Sequence, residues 1–319
     1  MTSRSPTVTL GLPAYNEEGG LEFAVRALLN QSYSDFELVL ADNASTDSTL
    51  KVMRRLQQDD SRIRILTSDR NLGAIGNFRR LLQSARGEYF AWVGAHDAYD
   101  PDWLLNLVQA LSADPRLVLV CARTYRHLPD YSVISSSVLR FDSREFDLRS
   151  RVRKASALHG AGERIYGLYR TAGARAYPIR ATLRWDTLFL AGLSLVGDMA
   201  AVESAVWYRS YHDRPVNSPW NTASTLRRQL RMVFPADVKP SLLDQIPAVY
   251  HQIAMLRDGM ATCRRMGRGF WQSLDLVRLA MAGVMTRSSV LFELQVWMGL
   301  FRRNPRPAQV IDEDREYAL

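Results

Sequence analysis

An α/β fold, built on a mixed, mostly parallel sheet with helices on both faces, is predicted from three observations. Over Thr7–Ala122, short apolar runs alternate with stretches of helical periodicity. The runs are nearly continuous in hydrophobic residues, as strands covered on both faces require. They end in small polar clusters: Pro13-Ala14-Tyr15-Asn16-Glu17, Ala41-Asp42-Asn43-Ala44-Ser45-Thr46-Asp47 and Gly94-Ala95-His96-Asp97. In an open α/β sheet, ligands bind outside the carboxyl ends of strands, so these clusters point to one shared site.

Val8–Leu12 reads as the first buried strand. Glu17–Asn30 follows as an amphipathic helix with Leu21, Val25, Leu28 and Leu29 on one face. Phe36–Leu40 is the second strand and Thr46–Gln58 the second helix. Ser45 or Thr46 is expected to cap that helix, and Asp47 suits the positive end of its dipole. Ile63–Leu66 is a short third strand, Asn77–Ala85 a third helix and Tyr89–Val93 a fourth strand. Pro101–Leu111 carries proline in its first helical turn, and Leu117–Ala122 is a fifth strand. Residues 124–160 are polar and weakly periodic, which predicts a long loop region. Periodicity returns in Arg164–Arg170. A helix is expected over Trp185–Leu195 and a strand over Ala205–Tyr211. Thr222–Arg303 reads as helical, with Leu291, Leu294, Met298 and Phe301 on one face, and Pro305–Leu319 as a loose tail.

The 319 residues suffice for a sizeable core, and 47% of them are hydrophobic. The formal charge is +8, carried almost wholly by arginine, since Lys51, Lys154 and Lys239 are the only lysines. Such a balance favours anionic nucleotides or lipid surfaces. No dense basic run with interleaved aromatics is present, so nucleic acid is not expected as a partner. Cys121 and Cys263 are too far apart in sequence to suggest a metal or disulfide framework. Met1–Pro6 is short and polar, unlike a signal peptide. No stretch reaches the ~18 apolar residues of a membrane span. A cytoplasmic location is expected, with peripheral contact at the inner face of a membrane left open.

Val8–Glu17, then Asp42-Asn43-Ala44-Ser45-Thr46-Asp47, Arg70-Asn71-Leu72-Gly73 and Gly94-Ala95-His96-Asp97, form an ordered set. That set resembles the inverting glycosyltransferases of family 2, which have the GT-A fold. The resemblance is strong over Thr7–Leu111, weaker through Arg164–His212, and absent from the helical C-terminal segment. It implies a nucleoside-diphosphate sugar donor held by Pro13, Ala14, Tyr15, Glu17, Asp42, Asn43, Arg70, Asn71, Gly73, Ala95 and His96. Within it, ionised Asp42 can accept a pyrimidine imide N–H. Glu17 reaches a ribose hydroxyl or starts a helix. Arg70 can neutralise diphosphate, and Gly73 and Gly76 permit tight turns near a ligand. The alternative reading of Asn16, Asp42 and Asn43 is as turn and capping residues, and of Arg70 as an exposed surface arginine.

The family's metal motif is of the Asp-x-Asp kind. Here Gly94 stands at the first acidic position and His96 at the second, leaving Asp97 as the only carboxylate. The resemblance implies a divalent cation, Mn²⁺ or Mg²⁺, on Asp97, His96 and His212. Imidazole suits Mn²⁺ better than Mg²⁺. An alternative is a polar helix entrance formed by Asp97 and Asp100. Asp186, beside Trp185, corresponds to an acidic residue that opens a helix beneath the acceptor, and is the candidate general base. Glu163 and Asp198 are competing acids, and Arg209 an alternative phosphate contact to His212.

These readings give a transferase domain over 1–220 (nucleotide half 1–122, acceptor half 123–220) and a helical extension over 221–319. The expected reaction is sugar transfer with inversion to a hydroxyl acceptor, glycan or lipid-linked, in polysaccharide, glycolipid or other glycoconjugate synthesis. The extension is a candidate for homo-oligomer contacts. The alternative is a catalytically weakened nucleotide-binding protein of the same fold. A nicotinamide-dependent oxidoreductase is disfavoured, because the first strand–helix turn lacks Gly-x-Gly-x-x-Gly.

Overall fold

The computed structural model describes residues 6–127, 133–137, 141–157, 161–210, 233–234 and 247–284. Strand and helix alternate through β1 (Val8–Ala14), α1 (Leu21–Leu29), β2 (Phe36–Asp42), α2 (Thr49–Asp59), β3 (Ile63–Leu66), α3 (Gly73–Ser84) and β4 (Tyr89–Trp92). A two-residue β5 (Ala98–Tyr99) and α4 (Trp103–Ala113) follow. β1 pairs in parallel with β2 and β4, and β2 with β3. Successive side chains of a strand point to opposite faces, and the core is sorted accordingly. Leu38 and Leu40 join Val8, Leu10, α1 and α4 on one face. Val39, Ala41, Phe90 and Trp92 join α3 on the other.

Helices α1 and α2 begin later than their periodicity suggests. Residues 16–20 and 44–48 are held by hydrogen bonds between the two loops, which compete with the first helical turn. Neither Ser45 nor Thr46 caps α2. Its N-cap is Ser48, which makes no side-chain capping bond.

The expected loop over 124–160 is largely ordered structure. β6 (Leu117–His127) runs on past Ala122 and pairs with β7 (Val133–Ser137). A 3₁₀ turn (Ser143–Glu145), α5 (Leu148–Ala157) and α6 (Ala161–Arg164) follow. Arg123 pairs with the later strand Asp198–Ser210, and Thr124, Tyr125 and Arg126 pair with both it and β7, so the ladder rather than hydrophobicity sustains this end of the strand. β8 (Leu168–Arg170) enters antiparallel between β4 and β6. After α7 (Thr171–Ala176) and α8 (Trp185–Leu193), β9 (Asp198–Ser210) lies parallel to β6 and antiparallel to β5. Among the described residues, nine strands form one sheet in the order β3-β2-β1-β4-β8-β6-β9-β5, with β7 paired to β6.

The chain closes with α9 (Pro247–Ala254), a π-helical turn (Met255–Gly259), α10 (Met260–Arg265) and α11 (Phe270–Val284). Met255, Cys263, Leu276, Val277 and Ala280 are buried in the same core as α5 and α8. Gly283 lies so close to Ser156 that a methyl there would overlap its hydroxyl. The described C-terminal helices therefore pack on the α/β body. The expected helical face through Phe301 and the tail lie outside the described residues. No described helix is long and apolar enough to cross a membrane.

Candidate active site

The parallel register brings three strand ends to one edge. Ala14 lies opposite Asp42, and Val93, just beyond β4, donates its N–H to Gly11 O at 3.0 Å. With neighbouring strands about 4.8 Å apart, the loops after β1, β2 and β4 are necessarily adjacent. The first two are clasped together. Asn16 adopts a positive φ of 57°, donates its N–H to Ser45 Oγ at 3.0 Å, and accepts Thr46 N–H on Oδ1 at 2.9 Å. Glu17 N–H donates to Thr49 Oγ1 at 2.7 Å. Pro13 and Glu17 are partly exposed, and Tyr15 is exposed.

Asn43 is a buried staple. Its Nδ2 donates to Asn71 Oδ1 at 2.9 Å and to Gly73 O at 3.3 Å, while its Oδ1 accepts Leu72 N–H at 2.8 Å. Asn71 Oδ1 also accepts Gly73 N–H at 2.8 Å. Both amides thus hold the turn at Gly73, whose φ of +71° suits glycine. A Cβ there would also meet the backbone of Val233. Arg70, just before this turn, is exposed.

Asp42 is buried at the end of β2, with its carboxylate near Ser45 N–H at 3.3 Å. Arg80, which sequence reasoning missed, donates Nη2 to Asp42 O at 2.9 Å and to Asn77 Oδ1 at 2.8 Å. Burial lowers the Arg80 pKa, opposed by the nearby Asp42 charge. Its Nε is buried with no hydrogen-bond partner. Asn77 and Arg80 are three apart on a helix, spacing that puts both on one face.

After β4, His96 Nδ1 lies 3.3 Å from Glu17 Oε2, and that bond raises the imidazole pKa against its desolvation. Ala95 is buried beside it. Asp97 is 3% exposed, and burial pushes its carboxyl up. Its Oδ2 accepts Trp207 Nε1–H at 3.0 Å and its Oδ1 accepts Ser210 N–H at 3.1 Å, tying the loop after β4 to the end of β9. Gly94 is needed here because a methyl would overlap Asp97 Oδ2.

These donors do not fit a divalent cation as they stand. Both oxygens of Asp97 are engaged, His96 faces Glu17, and His212 lies outside the described residues. Among the described residues no three His, Cys, Asp or Glu side chains gather as a metal would require.

Asp186 occupies the first turn of α8, as expected. Burial raises its pKa, opposed by Thr187 N–H (2.8 Å to Oδ1) and by Arg184 and Arg209. Trp185 sets this turn, packing on Phe78 and Trp92 at ring distances of 5.3 and 6.2 Å. Arg184, just before it, has a φ of 54°, a conformation costly for a side chain with a Cβ. Arg209 joins the pieces: its charge acts on His96, Asp97 and Asp186 alike. It also lies 3.8 Å from Glu163, which accepts Arg126 Nε–H at 2.6 Å. Of the two competing acids, Glu163 is thus held by arginines. Asp198 sits at the opposite edge, at the start of β9, accepting from Ser143 and Arg151.

Residues 9–163 match the model of Glycosyl transferase family 2. The family 2 match contains Asp42, Asp97 and Glu163 and stops short of Asp186 and Arg209. It supports a family 2 glycosyltransferase. A relative in Bacillus subtilis, the putative teichuronic acid biosynthesis glycosyltransferase TuaG, is 31% identical over 104 residues, 33% of this chain and 41% of that one. The chain therefore spans well under two thirds of that relative's length. Two solved structures share the fold. S. aureus TarS 1-349 in complex with UDP-GlcNAc has a TM-score of 0.54 and 15% identity, covering 92% of this chain and 88% of that one. The mannosyltransferase PcManGT from Pyrobaculum calidifontis, in complex with GDP-Man and Mn²⁺, has a TM-score of 0.54 and 16% identity, covering 95% and 89%.

Proposed function

We propose that this chain transfers one sugar from a nucleoside-diphosphate sugar to an acceptor hydroxyl, with inversion, in polysaccharide or other glycoconjugate synthesis. The observation that carries this reading is the gathering of the loops after β1, β2 and β4 at one sheet edge, with buried Asp97 tied across to the end of β9. The donors in the TarS and PcManGT complexes are nucleotide sugars, which supports the donor class.

Asp42 accepts the imide N–H of the base, and Tyr15 and Glu17 flank the nucleoside. Asn43, Asn71 and Gly73 keep the neighbouring loop in place. Arg70 and Arg209 offset charge growing on the departing diphosphate. No step here depends on a divalent cation. Asp186 takes the acceptor proton as the hydroxyl oxygen attacks the anomeric carbon opposite the leaving group. Its raised pKa brings it nearer the operating pH, which suits a general base.

Nucleotide release across a panel of nucleotide sugars and acceptors tests the proposal, with wild type compared with Asp186→Asn. The variant is expected to bind nucleotide as wild type does and to lose roughly 10²–10⁴-fold in kcat. Wild-type kcat should fall as pH drops through the raised carboxyl pKa, because only the ionised form accepts a proton. Full turnover by Asp186→Asn removes Asp186 from this role. Nucleotide binding with no turnover on any donor favours a binding protein instead.

A further inference from the structure

We infer that the turn joining α10 to α11 docks this protein on an anionic lipid bilayer. Among the described residues, seven large hydrophobic side chains are exposed, and five of them are Ile253, Leu256, Met266, Phe270 and Trp271. The two most exposed, Phe270 at 61% and Trp271 at 76%, sit at the turn with their rings 5.2 Å apart, edge to face. Isolated apolar residues on a surface are ordinary, whereas the touching rings of Phe270 and Trp271 form one exposed apolar patch, the mark of an interaction surface.

The charge around them selects the occupant. Between Asp258 and Asp275 the chain carries Arg264, Arg265 and Arg268 and no carboxylate. The bounding acids are themselves paired: Asp258 with Arg180 and Arg257, Asp275 with Arg149 and Arg278. Arginine beside aromatic rings matches a boundary where anionic headgroups overlie acyl chains. Arg265 also borders a hollow of about 330 Å³ lined by Arg175, Arg180 and Asp258, whose carboxylate is paired with Arg180.

The turn is held ready. Gly267, at a φ of +72°, donates to Arg264 O at 3.0 Å, and Arg268 N–H donates to Cys263 O at 3.1 Å, a Schellman closure of α10. Arg268 Nη1 donates to Leu195 O at 2.7 Å, anchoring the turn to the body. Its residues therefore lose little freedom on docking. This inference stands apart from the donor chemistry proposed above.

Flotation of the full chain with phosphatidylcholine vesicles, with and without phosphatidylglycerol, tests it. Wild type is expected to float with the anionic vesicles, to be released by salt, and to remain free of the neutral ones. Phe270→Ser/Trp271→Ser should abolish flotation, and Arg264→Gln should weaken it roughly fivefold. Both variants should keep the wild-type thermal transition and nucleotide affinity. Absence of wild-type flotation, equal binding to neutral vesicles, or unaltered flotation of the aromatic variant overturns the inference. So does self-association in solution that the aromatic variant abolishes without any vesicle binding.

Discussion

Asn43 follows a strand and serves the turn of a neighbouring loop. Its position after a strand marked it as a ligand candidate or a turn former. Its amide is spent on Asn71, Leu72 and Gly73, so it shapes a neighbouring loop. Asn43→Ala strips a buried donor and acceptor and leaves Leu72 N–H without its partner. The expected cost is about 2 kcal/mol, read by denaturant unfolding, with nucleotide affinity falling as the Gly73 turn loosens. The places of Asp42 at a strand end and Asp186 at a helix start were legible because such ends have local signatures. Arg80 and Trp207 were not, because their partners lie far along the chain and only folding reveals them.

At the scale of elements, apolar runs located β1 to β4, since a strand buried on both faces is hydrophobic throughout. Periodicity failed where pairing replaced burial. The polar end of β6, β7 and the small helices that follow were read as loop. β8 was hidden by its length of three residues. The short segment after β4 is where element geometry and chemistry meet. Gly94→Ala would push Asp97 off Trp207 and Ser210, detaching this loop from β9. A loss of roughly 1–3 kcal/mol is expected in thermal unfolding, with transfer activity falling further than nucleotide binding. Equal loss of both would mean that Asp97 serves stability alone.

At the scale of the whole molecule, the C-terminal helices reach the candidate base. His251 of α9 is 2% exposed and donates Nε2–H to Leu183 O at 2.9 Å, next to Arg184 and the Asp186 turn. Burial lowers its pKa from 6.5 to about 4. The unfolded chain therefore takes up this proton first as pH falls, and stability is lost between pH 6.5 and about 4. The full loss is up to roughly 3 kcal/mol. His251→Gln, which retains a donor but cannot titrate, is expected to flatten the melting temperature over that interval. An unchanged slope would assign the pH dependence to other groups.

Local patterns along the chain are enough for the α/β alternation, the polar strand ends and the acid that opens α8. Each follows from local rules: hydrophobic period, turn chemistry and helix-terminus preference. Folding in three dimensions was needed to pair Asn43 with Asn71, to hold Asp97 on β9 and to bring Arg209 to Glu163. It also decided that α10 and α11 join the body while the turn between them stays exposed. Hydrogen bonds and charges act through space, and the partners they join are set by packing between residues that no sequence period relates.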